Sequence, residues 1–339
     1  MPNNPTKILL STTLIGGILI SISSNSWLGA WMGLEINLMS FIPLMTSQEN
    51  IYTTESSLKY FLIQALASSS LLFLVTMKTL MNQMILTSNL HSYAIMTPLL
   101  LKMGAAPLHW WFPSVMEGLS WMNCLLMMTV QKAAPMMLTS YLVKTDPLTL
   151  LVIMTSVVVG SVGGLNQVSL RKILTYSSIN HTGWMLMAMM GGNNLWIMYF
   201  MVYSMLTSTV VTIAKSNNIS LVNQTMTTSK SATMKFVLFT TLLSLGGLPP
   251  FIGFLPKWIV IQLMITNNLS FLMASMVVMS LTTLYYYLRM CYSSFIILHD
   301  ETKWYSWTKL GHKITTLGLI LSSMSMTGLL VCTLVINTN

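Results

Sequence analysis

The sequence predicts an all-α integral membrane protein. Eleven transmembrane helices form an inverted repeat of two five-helix bundles (helices 1–5 and 6–10), each with one broken helix, followed by a C-terminal helix. Three observations lead there. Only 7% of the 339 residues are charged and 54% are hydrophobic. A soluble domain carries about 25% charged residues because its surface faces water, so most of this chain's surface must face something apolar. Runs of the roughly 20 apolar residues that a bilayer core demands recur along the whole chain. Finally, two of those runs are interrupted by the same Gly/Pro pattern.

Hydropathy places the crossings at 8–23, 26–46, 57–80, 92–120, 121–142, 147–166, 170–190, 194–216, 234–265, 269–294 and 314–336. Residues 1–339 are expected to make one membrane domain: a first repeat over about 8–142, an inverted second over about 147–294, and the extra helix at 314–336. The first run, from Ile8, lacks a small-residue cleavage site and leads straight into more membrane, so no cleavable signal is expected. An Arg-rich amphipathic transit segment is not expected either.

The formal charge of +9 raises nucleic acid as a partner, but the cations are scattered singly and form no basic stripe, so none is expected. Assigning loops alternately to the two sides collects Lys7, Lys59, Arg171, Lys172, Lys215, Lys230, Lys235, Arg289, Lys303, Lys309 and Lys313 on the N-terminal side. The other side collects Lys78 and Lys144. Eleven against two is the asymmetry of the positive-inside rule, so the N-terminus is expected on the side of synthesis and the C-terminus opposite.

The fourth crossing contains Gly104-Ala-Ala-Pro107-Leu-His-Trp-Trp-Phe-Pro113, and the ninth contains Gly247-Leu-Pro-Pro250-Phe-Ile-Gly-Phe-Leu-Pro256. Each reads Gly, Pro three residues on, then Pro six further. Proline removes a backbone donor and crowds the preceding turn. Glycine permits the dihedrals of an unwound segment. Such backbone survives at membrane depth only where protein shields it or it lines a wet cavity. The two breaks lie five crossings apart, so equivalent helices run in opposite directions, and paired broken helices of this kind point to an ion pathway.

Three lysines fall inside crossings: Lys102 before the first break, Lys132 midway along helix 5, and Lys257 after the second break. Glu35 lies near the middle of helix 2. Lys132 is about 10 residues, roughly 15 Å, from either end of its helix, too far for its stem to carry the ammonium to the interface. Burying an ionisable group there costs several kcal/mol, roughly, and a desolvated amine releases its proton more readily. One carboxylate cannot neutralise three lysines, so a proton relay explains them better than a static ion pair of Glu35 with Lys102. His109 and His181 are weaker relay candidates, since a membrane histidine often serves as an interhelical hydrogen-bonding group. Gly29/Gly33 and Gly160/Gly164 are small-xxx-small pairs expected to let helices pack closely. Cys124, Cys291 and Cys332 lie in apolar runs without metal-ligand spacing, so no disulfide, zinc or iron–sulfur site is expected. The 32 methionines fit either tolerance of Met in lipid or a genetic code that reads an extra codon as Met, as animal mitochondria do.

At these residues the chain resembles the antiporter-like membrane subunits of respiratory complex I, NADH:ubiquinone oxidoreductase, in their short animal mitochondrial form. The stretches that carry the resemblance run from Trp27 to Asn37, Lys102 to Trp111, Gln131 to Pro135, Gly163 to Lys172, Tyr176 to Trp184, and Ser244 to Trp258. Residues 214–233 and 298–313 match poorly. The family fold has about fourteen helices, and the animal form resembles a version lacking the first three. The resemblance implies proton translocation, with Glu35 as coupling carboxylate, Lys102 its partner, Lys132 the central carrier and Lys257 the carrier near the exit. It implies a mitochondrial inner-membrane location with a matrix N-terminus. It implies neighbouring hydrophobic antiporter-like and small membrane subunits, with lipid around them, so the chain is not a stand-alone monomer. It implies no cofactor in this chain, which agrees with the absence of a Gly-x-Gly-x-x-Gly fingerprint; FMN and iron–sulfur clusters would sit elsewhere in the complex. Two other readings accommodate the same residues: a cation/proton antiporter subunit of the family, and a structural membrane scaffold.

Overall fold

The computed structural model describes residues 5–46, 50–80, 88–222, 224, 232–295 and 323. In chain order its helices are α1 (Pro5–Ser23), α2 (Trp27–Met45), α3 (Ile51–Leu80), α4 (Ser88–Met103), α5 (Trp111–Gly118), α6 (Trp121–Met128), α7 (Val130–Ser140), α8 (Pro147–Gly163), α9 (Leu170–Met189), α10 (Asn193–Ser216), α11 (Ala232–Gly246), α12 (Phe254–Thr266) and α13 (Ser270–Phe295). Among the described residues there is no strand, only an isolated antiparallel bridge between Ser169 and Leu221. The chain divides into two compact units, Met1–Ser156 and Val157–Asn339.

These segments are helical because an apolar environment leaves the backbone no partner but itself. Their hydroxyls follow the same rule. Ser21 donates to Ile18 O at 2.7 Å, Ser40 to Asn37 O at 2.9 Å and Ser177 to Leu174 O at 2.9 Å, so each is satisfied within its own helix. Large apolar side chains such as Leu19, Leu62, Leu66 and Leu281 are exposed on the outside. Inside, α3 turns a polar stripe inward: Ser56, Tyr60, Gln64 and Ser68 are all buried. That is the reverse of a water-soluble helix.

In the first unit α1 lies tightly on α2. A Cβ at Gly17 would stand 2.8 Å from Asn37 N and 2.9 Å from Gly33 O, and one at Gly33 would stand 2.7 Å from Gly17 O. The expected Gly29/Gly33 pair is thus half right. Gly29 meets only the side chains of Ser24 and Ser26, and the partner of Gly33 is Gly17. α3 packs on α2, α4 and α5, and α7 on α4, α1 and α2. In the second unit α9 is central and nearly all of it is buried. It packs on α10 and α12, while α11 lies on α10 and α13. A Cβ at Gly160 would stand 2.7 Å from Tyr176 O, so α8 and α9 approach backbone to backbone.

Both expected breaks are present, and they end alike. α4 stops at Gly104 (φ 72°), where Gly104 N bonds Leu101 O and Ala105 N bonds Leu100 O, each at 3.1 Å. α11 stops at Gly247 (φ 83°), where Gly247 N bonds Ser244 O at 3.0 Å and Leu248 N reaches Leu243 O at 3.4 Å. Both are glycine-terminated helix ends of the Schellman kind, a geometry that tolerates a left-handed glycine.

Three expectations change. The fifth crossing, expected whole over 121–142, divides at Thr129 into α6 and α7. Pro135 cannot donate to Gln131 O and crowds that turn, and the Thr129 hydroxyl bonds Leu125 O at 2.7 Å in competition with the ladder. The third helix begins at Ile51 rather than 57. Five described helices are long and apolar enough to cross a membrane individually: Pro5–Ser23, Trp27–Met45, Ile51–Leu80, Asn194–Ser216 and Ser270–Tyr292. The C-terminal helix at 314–336, the stretch 298–313 and Cys332 lie outside the described residues.

Candidate functional site

The first unit holds a buried cavity of about 20 Å³ at the place where its broken and distorted helices meet. α2 contributes Asn37, α3 Tyr60 and Gln64, α4 Lys102, α5 Trp111 and Phe112, and α7 Gln131, Lys132 and Pro135. The break after Met103 leaves carbonyls at the end of α4 without helical donors. Trp111 Nε1 donates to Leu101 O at 3.1 Å, and Gln64 Nε2 approaches Lys102 O at 3.4 Å. The same break turns Phe112 inward, so that the Lys132 ammonium lies 4.9 Å from its ring centroid, a favourable cation–π placement.

Two of the expected lysines thus line one cavity. Lys132 is 2% exposed and Lys102 7%. The Lys102 Nζ is buried and has no hydrogen-bond partner among the described residues, a costly state for an ammonium. A water needs about 10–15 Å³, so the cavity has room for one that would give Lys102 an acceptor. The other walls are already polar and joined. Gln131 Nε2 donates to Asn37 Oδ1 at 3.1 Å, and the Tyr60 hydroxyl lies 3.4 Å from Gln131 Oε1.

Glu35, half-buried on α2, attracts Lys102 electrostatically, but no direct ion pair joins them. His109 lies in the break itself, its Nδ1 3.2 Å from Pro107 O and its ring stacked on Trp110 at 5.0 Å, and it does not line the cavity. Tyr60 and Gln64 were missed by the sequence reading. Their signal was the period alone: Ser56, Tyr60, Gln64 and Ser68 recur every four residues along the helix.

The second unit surrounds Lys257 differently. Its ammonium donates to Gly246 O at 2.8 Å, the carbonyl freed by the second break, and lies 5.8 Å from the Trp184 ring centroid. The lysine stem lies against Gly247: a Cβ there would stand 2.9 Å from Lys257 Cδ. His181, on α9, pairs its Nδ1 with the Tyr199 hydroxyl at 2.9 Å and packs 5.1 Å from the Tyr203 ring. It borders a cavity of about 10 Å³ with Tyr199, Tyr203, Ser244 and Pro256. Among the described residues no three His, Cys, Asp or Glu side chains come together as a metal site.

A family model described as the transmembrane part of NADH:quinone oxidoreductase and Mrp antiporters matches residues 24–283. The chain is 48% identical over 326 residues to NADH-ubiquinone oxidoreductase chain 2 of Anopheles gambiae, covering 95% of each. It is 46% identical to the chain of that name from Locusta migratoria, covering 98% of this chain and 97% of the other. Among solved structures, a chain of respiratory complex I from Thermus thermophilus superposes with a TM-score of 0.83 at 24% identity, over 97% of this chain and 79% of that one. A chain of the Mrp complex from Dietzia gives the same score at 14% identity, over 96% and 75%. At these identities the two structures speak for the fold alone.

Proposed function

We propose a proton-translocating function for this chain, from the premise that it belongs to the NADH-ubiquinone oxidoreductase chain 2 proteins of the NADH:quinone oxidoreductase/Mrp antiporter family. The chain is a core membrane-arm subunit of NADH:ubiquinone oxidoreductase in the mitochondrial inner membrane. This reading leaves electron transfer from NADH to ubiquinone, with the FMN and iron–sulfur clusters the family implies, to other subunits. The exposed apolar exterior faces lipid and the neighbouring antiporter-like and small subunits of the complex.

The helices read as ten crossings, with α4/α5, α6/α7 and α11/α12 each acting as one interrupted crossing and an eleventh at 314–336. The two broken crossings belong to halves of opposite direction, and the N-terminus faces the matrix. Their identical glycine ends support this reading.

One observation carries the relay: Lys102 and Lys132 line the same small polar cavity. Two ammoniums around one water-sized space repel, so a proton arriving on one favours departure from the other. Glu35, near enough to attract Lys102 without contacting it, sets whether Lys102 holds its charge. Lys257, seated on Gly246 O, carries the proton in the second unit, and His181 with Tyr199 is a secondary carrier. His109 has the weakest support, since it does not border the cavity.

The test is Lys132→Ala in the assembled complex, reconstituted in vesicles. Protons moved per NADH oxidised should fall by this subunit's share while assembly persists, and Glu35→Gln should act in the same direction. An assembled Lys132→Ala enzyme that pumps fully overturns the relay and leaves the scaffold reading.

A further inference from the structure

The Lys102–Lys132 cavity has a neighbour that the relay does not use. A cleft of about 420 Å³ opens on the surface of the first unit, lined by Glu55, Ser56 and Lys59 of α3 and by Ser114 and Glu117 of α5. Cleft and cavity are walled by the same two helices. On α3 Ser56 faces the cleft and Tyr60 the cavity; on α5 Ser114 faces the cleft and Trp111 the cavity. Four helical residues rise about 6 Å and three about 4.5 Å, so the partition is about one turn thick.

That partition is aromatic. The Tyr60 ring lies 5.4 Å from Phe41 and 6.0 Å from Trp111, centroid to centroid. Its hydroxyl lies on the cavity side, beside Gln131. Behind it stands the buried Lys102 ammonium, lining the cavity and without a hydrogen-bond partner among the described residues. In front, the cleft carries exposed charge: Glu55 and Lys59 pair at 2.6 Å with their side chains 57% and 48% exposed, and Glu117 is exposed. α3 has 30 residues, about 45 Å of helix against a hydrocarbon core of about 30 Å. The excess, with the charges of Glu55 and Lys59 in its first turns, lets that end extend into the headgroup layer.

We propose that this cleft is the proton-uptake mouth of the first unit, in which Glu55 and Glu117 collect protons from the aqueous phase and pass them by way of Tyr60 to the Lys102–Lys132 cavity. The inference rests on the relay reading and adds to it the route by which the relay is loaded. Proton bookkeeping closes at each step. A carboxylate takes a proton from bulk water and gives it to a water beside Ser56, whose own hydroxyl hydrogen is engaged with Thr53 O at 2.9 Å. The Tyr60 oxygen then accepts that proton as its hydroxyl hydrogen passes through a cavity water to a neutral Lys102 amine, and rotation of the hydroxyl returns Tyr60 to its starting state. The cation bias assigns Lys59 to the N-terminal side, so uptake is from the matrix, the side from which an outward pump must draw.

The test compares three variants of the assembled complex in sealed vesicles: the double substitution Glu55→Gln with Glu117→Gln, Tyr60→Phe, and Lys132→Ala. Each should lower protons moved per NADH oxidised to a similar extent, and combining either mouth variant with Lys132→Ala should add nothing. Normal pumping by both mouth variants, with Lys132→Ala impaired, overturns the mouth and leaves the relay. Full pumping by Lys132→Ala overturns the relay itself. Should the double variant not assemble, Ser114→Cys labelled with a bulky charged thiol reagent closes the cleft in the finished complex. Undiminished pumping after complete labelling also overturns the mouth.

Discussion

Lys102 and Lys257 flank equivalent breaks yet meet opposite surroundings. Lys257 follows its glycine and reaches back to the carbonyl the break frees, while Lys102 precedes its glycine and lines a cavity where its ammonium has no hydrogen-bond partner among the described residues. Lys257 is the anchored member, and on the proposed relay Lys102 is the one that responds to Glu35. The anchoring is testable at Gly247. That residue has φ 83°, where a side chain costs about 1–2 kcal/mol, and a Cβ would stand 3.0 Å from Lys257 Nζ. Gly247→Ala should therefore lower the thermal stability of the assembled complex and shift the Lys257 ammonium from Gly246 O. In the double variant with Lys257→Met, which has a flexible uncharged end, the loss should be smaller than the sum of the single losses, since the two residues are in contact. Strict additivity would mean that the collision seen between them carries no energy. The lysines themselves were legible in the sequence because a charge inside an apolar run stands out. Tyr60 and Gln64 were not, because a tyrosine or glutamine in such a run is ordinary until its period is set beside the cavity it faces.

Helix ends separate what the sequence states locally from what only packing decides. Gly104 and Gly247 announce their breaks, since a left-handed terminus and a downstream proline are both written in the residues. The division at Thr129 carries no such mark. It coincides with a hydroxyl that turns back to Leu125 O, a bond that leaves no mark in the sequence, so the segment reads as an unbroken crossing. The glycine contacts divide in the same way. Gly33 was visible as a packing residue, but its partner Gly17 belongs to another helix and no spacing rule names it. That interface gives a controlled prediction. Gly33→Val would force a side chain to 2.7 Å from Gly17 O and within the Ser21 backbone, so α1 must leave α2 and assembled complex should be lost. Gly16→Val, one residue from Gly17 with nothing within 4 Å of its Cβ position, should assemble normally. Immunoblots of the assembled complex read the difference, and equal yields would remove the glycine contact as the reason α1 and α2 stay together.

Across the whole molecule, sidedness follows from length and charge together. α1 and α2 have 19 residues each, about 28 Å, enough for one crossing apiece. α4 and α5 have 16 and 8 residues, about 24 and 12 Å, so neither is long enough to cross alone, and the proposed topology gives the interrupted pair one passage. The same holds for α11 and α12, with 15 and 13 residues. Counting each interrupted pair once alternates the connecting loops between the two sides and leaves eleven cations on one side and two on the other. Counting the fragments separately would scatter the cations, because each added crossing reverses every later loop. The expectation is checked with single cysteines introduced at exposed loop positions and a thiol reagent that cannot cross the membrane; the native Cys124 and Cys291 are buried. Asn50→Cys and Asn218→Cys should react from the N-terminal, matrix side. Asn25→Cys, between α1 and α2, and Thr145→Cys, between α7 and α8, should react from the opposite side. Labelling of Asn25→Cys and Asn50→Cys from the same side would mean that α2 does not cross, and labelling of Thr145→Cys from the matrix side would mean that a broken or divided helix pair had been counted wrongly. Either result would also detach the proposed mouth from the matrix, since Glu55 and Glu117 take their side from the loops that bracket α3 and α5.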